Sequence, residues 1–434
     1  MNAAITAQTR PLGWVRTLQR NLYRTAKRNP GRKFGLLHTH VCNLATIEEA
    51  WKRVSANGGS PGIDRETIAE IKRRGKEDLL KEIQEELQAE TYEANVIRRV
   101  YIPKGKTGTR PLGIPTVKDR VVQMAVKLII EPLFEADFLD CSHGFRPRRD
   151  NKEAAQLTHR YSNTHKWVVD VDLKSYFDTI NHEMLIKLVK RRVSDRRILK
   201  LIRQWLKAGI LENGEIHASQ LGTPQGSVIS PLLSNIYLHE IDKQWNDNRS
   251  VKLIRFADDM IFMCKSESQA NYVLNTLRGQ IGKLELCLNE EKTKIRHVRE
   301  SFDFVGFTYK EAYSRHKKRY VRIKFPRAKS MQKIRDNIKN TVKCMPLGME
   351  PSVIIDAVNR KLIGWANYFK IGNSYKHALE ISDFACRQLR IFWRRRKNRK
   401  RSQYSRLWSN SYFYKQGLLY VPHLLTGGKA NAVR

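Results

Sequence analysis

The segment Leu253-Ile-Arg-Phe-Ala-Asp-Asp-Met-Ile-Phe-Met263 carries the strongest local indication of the fold. Two apolar runs flank an Ala-Asp-Asp triplet, and this pattern predicts a β-hairpin with acidic residues at its tip. Upstream, Trp167-Val-Val-Asp-Val-Asp-Leu173 alternates, so that its apolar side chains face one way and two aspartates face the other. We therefore expect two strand elements, distant in sequence, to bring carboxylates together.

Carboxylates on neighbouring strands are suitable ligands for Mg²⁺, because this hard cation takes oxygen ligands and usually needs only one or two carboxylates beside substrate phosphates. Two such ions about 3.5–4 Å apart can activate a 3′-hydroxyl and stabilise a leaving pyrophosphate. The candidate ligands are Asp172, Asp258 and Asp259. Taken alone, either acidic motif is more often an ordinary polar turn than a catalytic site.

Composition narrows the class of protein. The chain has 434 residues, with 81 Lys and Arg against 43 Asp and Glu, which gives a formal charge of +38. A hydrophobic content of 41% excludes a disordered chain, and the sequence contains no apolar run long enough for a membrane span. So large an excess of positive charge predicts a polyanionic partner, first nucleic acid and second an anionic membrane surface.

The positive charge is concentrated at both ends. Residues 1–47 contain eight basic and no acidic residues, and residues 384–434 contain thirteen basic and no acidic residues. Both ends are typical of nucleic-acid contact segments, with a merely solvated tail as the alternative. The basic helix predicted over residues 12–28 is also compatible with an organellar transit peptide, a less favoured interpretation.

Six scattered cysteines without zinc-site spacing predict buried, reduced thiols. The sequence also lacks a secretory signal. A reducing, bacterial cytoplasmic location follows as an expectation.

Local patterns predict the main elements. Helices are expected over residues 47–54 and 66–89, and a strand over 96–103. Ser230-Pro231 predicts a helix start, with Ser230 as the N-cap and the helix continuing to Trp245. Beyond Pro326 the pattern is almost wholly helical.

The order of the motifs resembles that of the group II intron reverse transcriptase/maturases, over about residues 45–400. In chain order the motifs are Asn57-Gly-Gly-Ser-Pro-Gly-Ile-Asp64, Val100-Tyr-Ile-Pro-Lys104, Arg110-Pro-Leu-Gly-Ile-Pro-Thr116, His143-Gly-Phe-Arg-Pro147, Asp172-Leu-Lys-Ser-Tyr-Phe-Asp178, Leu221-Gly-Thr-Pro-Gln-Gly226, Phe256-Ala-Asp-Asp259, Glu291-Lys-Thr-Lys294, Phe304-Val-Gly-Phe307 and Gly364-Trp-Ala-Asn-Tyr-Phe369. Any one of these motifs is a weak signal, whereas the whole set in order is specific.

The resemblance implies an α+β, right-hand polymerase with fingers, a palm containing an antiparallel sheet, a helical maturase thumb and a basic C-terminal DNA-binding segment. The implied boundaries are a basic N-terminal extension over 1–50, fingers over 51–165, palm over 166–325, thumb over 326–393 and a basic tail over 394–434. The implied activity is RNA-directed DNA synthesis combined with binding of intron RNA as a splicing maturase and a role in intron mobility.

The resemblance also implies roles for single residues. Asp172, Asp258, Asp259 and the backbone carbonyl of Leu173 would bind two Mg²⁺ ions, with Mn²⁺ as a substitute. Lys104 and Arg110 would bracket the triphosphate of the incoming nucleotide, and Phe177 would lie beneath its sugar. Gln225 and Gly226 would contact template or nucleotide. Lys292 would balance charge on the leaving phosphate. Core packing is the alternative for Phe177, and an ordinary surface position is the alternative for Lys292.

Nucleic-acid binding is expected along a helical ridge and in the C-terminal tail. The residues are Lys329, Lys333, Lys339, Arg394, Arg395, Arg396, Lys397, Arg399, Lys400 and Arg401. The implied partners are group II intron RNA, an RNA template, a DNA primer or target, and deoxynucleoside triphosphates. A membrane partner and a defined oligomeric state are not implied.

Two departures from the family pattern are visible. Phe256 stands where many relatives have Tyr, and the segment after Trp408 lacks the Cys/His cluster of a zinc-containing endonuclease. An endonuclease-lacking member is therefore expected. Two alternatives stay open from sequence: a domesticated reverse transcriptase in DNA repair, phage defence or CRISPR spacer acquisition, and a non-catalytic RNA-binding splicing factor.

Overall fold

The computed structural model describes residues 13–104, 108–212, 215–217, 221–224, 226–246, 248, 250–397 and 407–426. For Lys104 the description covers the backbone alone. The fold is mixed α+β with antiparallel and mixed sheets, which confirms the predicted class. Within the described residues, every helix is too short or too polar to cross a membrane.

The strands, in chain order, are β1 (Ile97–Lys104), β2 (Gly108–Ile114), β3 (Trp167–Val171), β4 (Ile210–Glu212), β5 (Glu215–His217), β6 (Val251–Phe256), β7 (Asp259–Cys264), β8 (Lys294–His297), β9 (Phe302–Phe304), β10 (Phe307–Ser314) and β11 (Arg319–Pro326). They form sheets ordered β2-β1-β4-β5, β6-β7-β3-β8 and β11-β10-β9. In the first sheet β1 pairs antiparallel with β2 and parallel with β4, whereas β10 pairs antiparallel with both its neighbours.

The helices, in chain order, are α1 (Trp14–Arg28), α2 (Leu37–Val41), α3 (Leu44–Asn57), α4 (Ile68–Arg74), α5 (Glu77–Ala89), α6 (Val117–Glu135), α7 (Asn151–Ser162), α8 (Tyr176–Thr179), α9 (His182–Val189), α10 (Arg196–Lys207), α11 (Ser230–Trp245), α12 (Glu267–Lys283), α13 (Ala328–Lys343), α14 (Pro351–Phe369), α15 (Tyr375–Lys397), α16 (Asn410–Lys415) and α17 (Val421–Thr426). The strand predicted over 96–103, the helix predicted to end near residue 28 and the helical character beyond Pro326 are confirmed.

The chain divides into two compact units, of which the first comprises residues 1–149, 170–262 and 271–294. Helix α6 lies at the centre of this unit, because α1, α2, α3 and α5 all pack on it. Its side chains are buried around most of its circumference, as expected of a helix enclosed by others. Thr116 caps it by accepting the N–H of Asp119 at 3.1 Å.

The second unit comprises residues 150–169, 263–270 and 295–434. Within it α13 packs against α14 and α15 through a buried seam of Met331, Ile334, Ile338 and Val342, as the apolar spacing predicts. Helix α15 continues to Lys397, so Arg394–Lys397 form its last turn, where cations interact favourably with the helix dipole.

Three sequence expectations are wrong in detail. The helix expected over 66–89 is two helices, α4 and α5, because Gly75 adopts a φ of +99° that ends the first. Ser230 does not cap α11: the hydroxyl donates to the carbonyl of Pro224 at 3.1 Å, and the N-cap is Ile229. The six cysteines are all free, but Cys287 and Cys344 are exposed rather than buried.

Candidate active site

The Ala-Asp-Asp triplet lies at the turn between β6 and β7, as predicted. The turn is tight because β6 ends at Phe256 and β7 begins at Asp259. Ala257 adopts a φ of +59°, a left-handed conformation that a non-glycine residue keeps only when its surroundings hold it. Asp258 is half-buried and Asp259 is exposed. The turn therefore presents two carboxylates from a backbone that needs support.

Support comes from Arg255, a fully buried cation directly before the turn. Its guanidinium donates to the carboxylate of Asp242, which is also fully buried, at 2.8 Å from Nε, and its Nη1 donates to the carbonyl of Ala257 at 2.9 Å. The same Nη1 donates to Oδ1 of Asn235 at 2.9 Å. A single planar group thus ties the turn to helix α11.

Gly144 packs directly against the turn and is part of the same network. Its carbonyl accepts a hydrogen bond from the Asn235 amide at 2.8 Å, and the neighbouring His143 N–H donates to the carbonyl of Arg255 at 2.9 Å. A Cβ on Gly144 would lie 2.3 Å from the backbone nitrogen of Ala257. Only glycine permits so close an approach of the two backbones.

Asp172 lies directly after β3 and is half-buried. Its backbone carbonyl accepts the N–H of Asn289 at 2.8 Å, and its own N–H donates to the hydroxyl of Thr293 at 3.3 Å. The following Leu173 forms an isolated antiparallel bridge with Leu288. The segment 288–293 therefore fixes the backbone that carries the first candidate ligand.

The structure brings Asp172, Asp258, Arg110 and Lys292 into one electrostatic environment. Burial raises the pKa of Asp258 above its ordinary value, and the negative charge of Asp172 raises that pKa further. The Arg110 guanidinium acts in the opposite direction and lowers the pKa of Asp258. Nζ of Lys292 lies 3.5 Å from Oδ2 of Asp172. Carboxylates from two chain segments thus share a site with two cations.

This arrangement fits a divalent cation. The carboxylates of Asp172 and Asp258 repel each other in a partly water-excluded place, and the Lys292 ammonium lies 3.5 Å from the carboxylate of Asp172, so positive charge is already favoured there. No three His, Cys, Asp or Glu side chains within the described ranges converge closely enough to hold an ion by themselves. Mg²⁺ does not require such a cluster, since substrate phosphates usually complete its coordination.

The loop 221–226 packs beside this site. The backbone N–H of Thr223 donates to the carbonyl of Phe177 at 2.6 Å, and a Cβ on Gly222 would meet the Phe177 carbonyl at 2.8 Å. Gly226, at a φ of +114°, approaches strand β2 so closely that a Cβ would lie 2.4 Å from the carbonyl of Gly113. The loop therefore links helix α8 with the strand that carries Arg110.

The remaining sequence-predicted residues are placed as follows. Phe177 is half-buried on α8, with its ring 5.2 Å from that of Tyr176. Lys329, Lys333 and Lys339 are exposed on α13, and Arg394, Arg395, Arg396 and Lys397 lie on α15, where Arg396 donates to the carbonyl of Met349 at 2.6 Å. Gln225, Arg399, Lys400 and Arg401, with the side chain of Lys104, lie outside the described residues.

Sequence reasoning missed the residues that hold the site together, namely Arg255, Asp242, Asn235, Gly144 and Gln123. Oε1 of Gln123 accepts hydrogen bonds from the hydroxyl of Ser227 at 2.7 Å and from the N–H of Val228 at 3.0 Å, and so fixes the segment that directly follows Gly226. One signal was present: an arginine inside an apolar strand needs a buried anionic partner. The identity of that partner could not be read from the sequence.

Comparisons with known proteins give a consistent result. Residues 102–309 match the family described as reverse transcriptase (RNA-dependent DNA polymerase), and residues 331–410 match the group II intron, maturase-specific domain. Together the two matched regions leave residues 1–101, 310–330 and 411–434 outside.

Among curated proteins, the chain is 34% identical over 333 residues to protein YkfC of Escherichia coli strain K12, covering 67% of this chain and 87% of that protein. It is 33% identical over 296 residues to the group II intron-encoded protein LtrA of Lactococcus lactis subsp. cremoris, covering 53% of this chain and 49% of LtrA. A putative COX1/OXI3 intron 1 protein of Saccharomyces cerevisiae is 28% identical over 322 residues, with 61% of this chain and 38% of that protein covered. The chain thus spans about half the length of LtrA.

Proposed function

The chain belongs to the group II intron reverse transcriptase/maturase family, a family of RNA-directed DNA polymerases, and we propose that its carboxylates Asp172, Asp258 and Asp259 carry nucleotidyl transfer. The observation that supports this most directly is the electrostatic coupling of Asp172 to Asp258 beside Arg110 and Lys292. The proposed reaction adds deoxynucleoside triphosphates to a DNA primer on an RNA template.

The three carboxylates, with the backbone carbonyl of Leu173, would hold two magnesium ions. When bound there, magnesium supplies positive charge that favours the ionised primer 3′-hydroxyl and the leaving pyrophosphate, and manganese can replace it. The chain's own residues favour a cation at this site. Burial raises the pKa of Asp258, which means that the ionised carboxylate is unfavourable by itself, and a bound cation would stabilise the ionised form.

Cationic side chains orient the incoming nucleotide in this proposal. Arg110 lies on β2 close enough to Asp258 to affect its pKa, and the planar guanidinium suits bidentate contacts to phosphate. Lys104 ends the paired strand β1 opposite Gly108, at the other side of the hairpin tip. Lys292, 63% exposed, would release Asp172 when a cation binds and then face the leaving phosphate.

The template side of the site is assigned to the loop that packs on α8. Gln225 and Gly226 would contact template or nucleotide, and Phe177 would lie beneath the sugar. The half-buried ring of Phe177 supports this assignment, because a residue serving only the core would be expected to be fully enclosed.

The domain roles are also part of the proposal. Residues 51–165 and 166–325 would act as fingers and palm, 326–393 as thumb, 1–50 as a basic extension and 394–434 as a DNA-binding tail. The exposed lysines Lys329, Lys333 and Lys339 on α13 support contact with nucleic-acid phosphates, since the opposite face of that helix is buried. Arg394–Lys397 would add contacts at the end of α15.

Primer extension tests the proposal. Purified protein should extend oligo(dT) on poly(rA) with Mg²⁺, and Asp258→Ala should abolish extension. Asp356→Ala, which removes an exposed carboxylate from α14, is the matched control and should extend normally. Full activity in Asp258→Ala would overturn the assignment of the site.

The maturase role needs a separate assay, because splicing need not depend on the carboxylates proposed to carry polymerisation. We expect group II intron RNA to splice with wild type and with Asp258→Ala alike, while only wild type extends primers. Splicing in neither would leave polymerisation as the whole function. The comparisons do not favour the domesticated reverse transcriptase or the non-catalytic splicing factor.

A further inference from the structure

The β10–β11 hairpin carries a basic, aromatic tip that the proposed active site does not use. Its register runs from Phe307 opposite Pro326 to Ser314 opposite Arg319. The tip reads Arg315-His-Lys-Lys-Arg319, and residues 312–324 contain six Lys or Arg and no Asp or Glu. All five tip residues are exposed. The hairpin thus ends in concentrated positive charge.

The base of the hairpin is anchored to helix α7 within the second unit. The hydroxyl of Tyr309, which is only 2% exposed, donates to the carbonyl of Ala155 at 3.3 Å. Nε of Arg322 donates to the carbonyl of Ser162 at 3.1 Å. These contacts hold the base in place and leave the tip to project from it.

Tyr313 and Tyr320 face each other across the two strands, on the same face as the buried Tyr309. Their ring centroids are 5.4 Å apart with an interplanar angle of 71°, yet the two residues are 55% and 68% exposed. A cross-strand aromatic pair stabilises a hairpin, but that role does not call for so much exposed ring surface. The rings therefore remain available to an external partner.

The nearest carboxylate on this face is already engaged. Glu311 lies 3.1 Å from Nη1 of Arg322 and 3.2 Å from Nε of Arg299. Glu311 is therefore paired with arginines away from the tip, and the sequence of the tip contains no acidic residue. Charge at the tip is complementary to a polyanion.

We propose that the tip of the β10–β11 hairpin binds an unpaired segment of RNA, with its cations on the phosphates and Tyr313 and Tyr320 stacked on bases. Bases within a duplex are already stacked and offer no free face, so exposed rings favour unpaired nucleotides. The DNA that the proposed reaction handles is paired to its template, whereas a folded RNA contains loops. The inference rests on the proposed function only in taking RNA as a partner.

The test uses the full chain and labelled oligo(rU), oligo(dT) and a blunt RNA duplex, with affinity measured by fluorescence anisotropy over a range of salt. One variant combines Tyr313→Thr with Tyr320→Thr, which keeps strand-forming residues and removes the rings. A second combines Arg315→Gln, Lys317→Gln and Arg319→Gln. It leaves Lys318 unchanged because that residue has a φ of +46°.

A matched control, called the α14 control, removes two exposed cations of helix α14 and the exposed cation at its C-cap through Arg360→Gln, Lys361→Gln and Lys370→Gln. The threonine variant should bind oligo(rU) about fivefold to a hundredfold more weakly with an unchanged salt dependence. The glutamine variant should flatten the slope of log affinity against log salt by about 2, since each phosphate contact on a single strand contributes about 0.7. The α14 control should lose less affinity than the threonine variant and should change the slope less than the glutamine variant.

Three outcomes would overturn the proposal. The first is an equal loss of affinity for oligo(rU) in the α14 control, and the second is an equal loss of affinity of the threonine variant for the blunt duplex. The third is wild-type binding of oligo(dT) as tight as that of oligo(rU). A fourth variant, Tyr313→Phe with Tyr320→Phe, guards against misfolding. It should bind like wild type because it retains both rings, and weak binding in a correctly melting Phe variant would contradict stacking. Primer extension, followed in parallel, should be unchanged in the threonine variant. If the wild type itself fails to extend primers, the proposed function fails while the binding comparison keeps its meaning.

Discussion

Replacing Asp242 with Asn should destabilise the first unit strongly and disable the Ala-Asp-Asp turn. The carboxylate and the guanidinium of Arg255 are both fully buried, and Arg255 also donates to Asn235 and to the carbonyl of Ala257. The substitution preserves volume but removes the negative charge. It leaves a buried cation beside an amide that can accept only one of the two hydrogen bonds.

Breaking a buried ion pair in this way costs about 3–5 kcal/mol. That is a large part of the roughly 5–15 kcal/mol by which a typical protein is stable. For a unit of this size each kcal/mol moves the melting temperature by about 2–4 °C, so the expected loss is roughly 6–20 °C. Circular dichroism with temperature measures it directly.

The matched control is Glu290→Gln, the same acid-to-amide exchange on an exposed pair. Glu290 lies 2.9 Å from Nη2 of Arg278, and both side chains are about half exposed, at 59% and 46%. Solvent screens this pair, so the melting temperature should hardly change. If Asp242→Asn melts as close to wild type as the control does, the reasoning about the buried network is wrong.

A double variant separates stability from positioning. Asp242→Leu combined with Arg255→Met replaces the ion pair with apolar groups of similar volume, and such exchanges are often neutral or stabilising. Stability should therefore return. Primer extension should not, because the donor to the carbonyl of Ala257 is gone and the left-handed turn loses its support. Recovery of full extension would show that the guanidinium has no positioning role.

Three further predictions concern the same site. Asp258→Asn should abolish extension yet raise the melting temperature. The pKa of Asp258 is raised in the folded state, so the stability of the wild type falls as the pH rises from the ordinary Asp range through that pKa. The variant has no carboxyl group at this position and therefore does not lose this stability. Gly144→Ala, whose Cβ would lie 2.3 Å from the Ala257 nitrogen, should slow extension about 100-fold. Lys292→Gln should lower the Mg²⁺ concentration needed for half-maximal extension, because the ammonium no longer competes for Asp172, and it should leave the melting temperature unchanged, because the side chain is 63% exposed.

Each of these predictions has a result that would contradict it. Gly279→Ala on α12 meets nothing within 4 Å and should stabilise slightly without slowing extension; an equal loss there would discredit the steric argument. A melting temperature of Asp258→Asn below that of wild type at neutral pH would contradict the direction of the pKa shift. An unchanged Mg²⁺ requirement in Lys292→Gln would mean that the lysine does not compete for Asp172.

Local patterning located the elements well, because each depends on neighbours in sequence. Alternation identified β3, two apolar runs around the triplet identified the β6–β7 hairpin, and i, i+3, i+4 spacing identified the buried seam of α13. The failures were also local. Gly75 ends a helix whose apolar spacing continues beyond it, and Ser230 lies inside the helix because its hydroxyl has the carbonyl of Pro224 as a partner.

Ordered motifs and periodicity are properties of the chain, so they were enough to indicate the α+β class, the family and the candidate carboxylates. How the turn is held depends on contacts that form only when the chain folds. Arg255 looks anomalous in an apolar strand, but its partners Asp242 and Asn235 lie on α11, and Gly144 on a third segment. A buried cation requires a partner somewhere, and no local rule says where. Packing chooses among many possible partners by proximity, and proximity between distant segments exists only after folding.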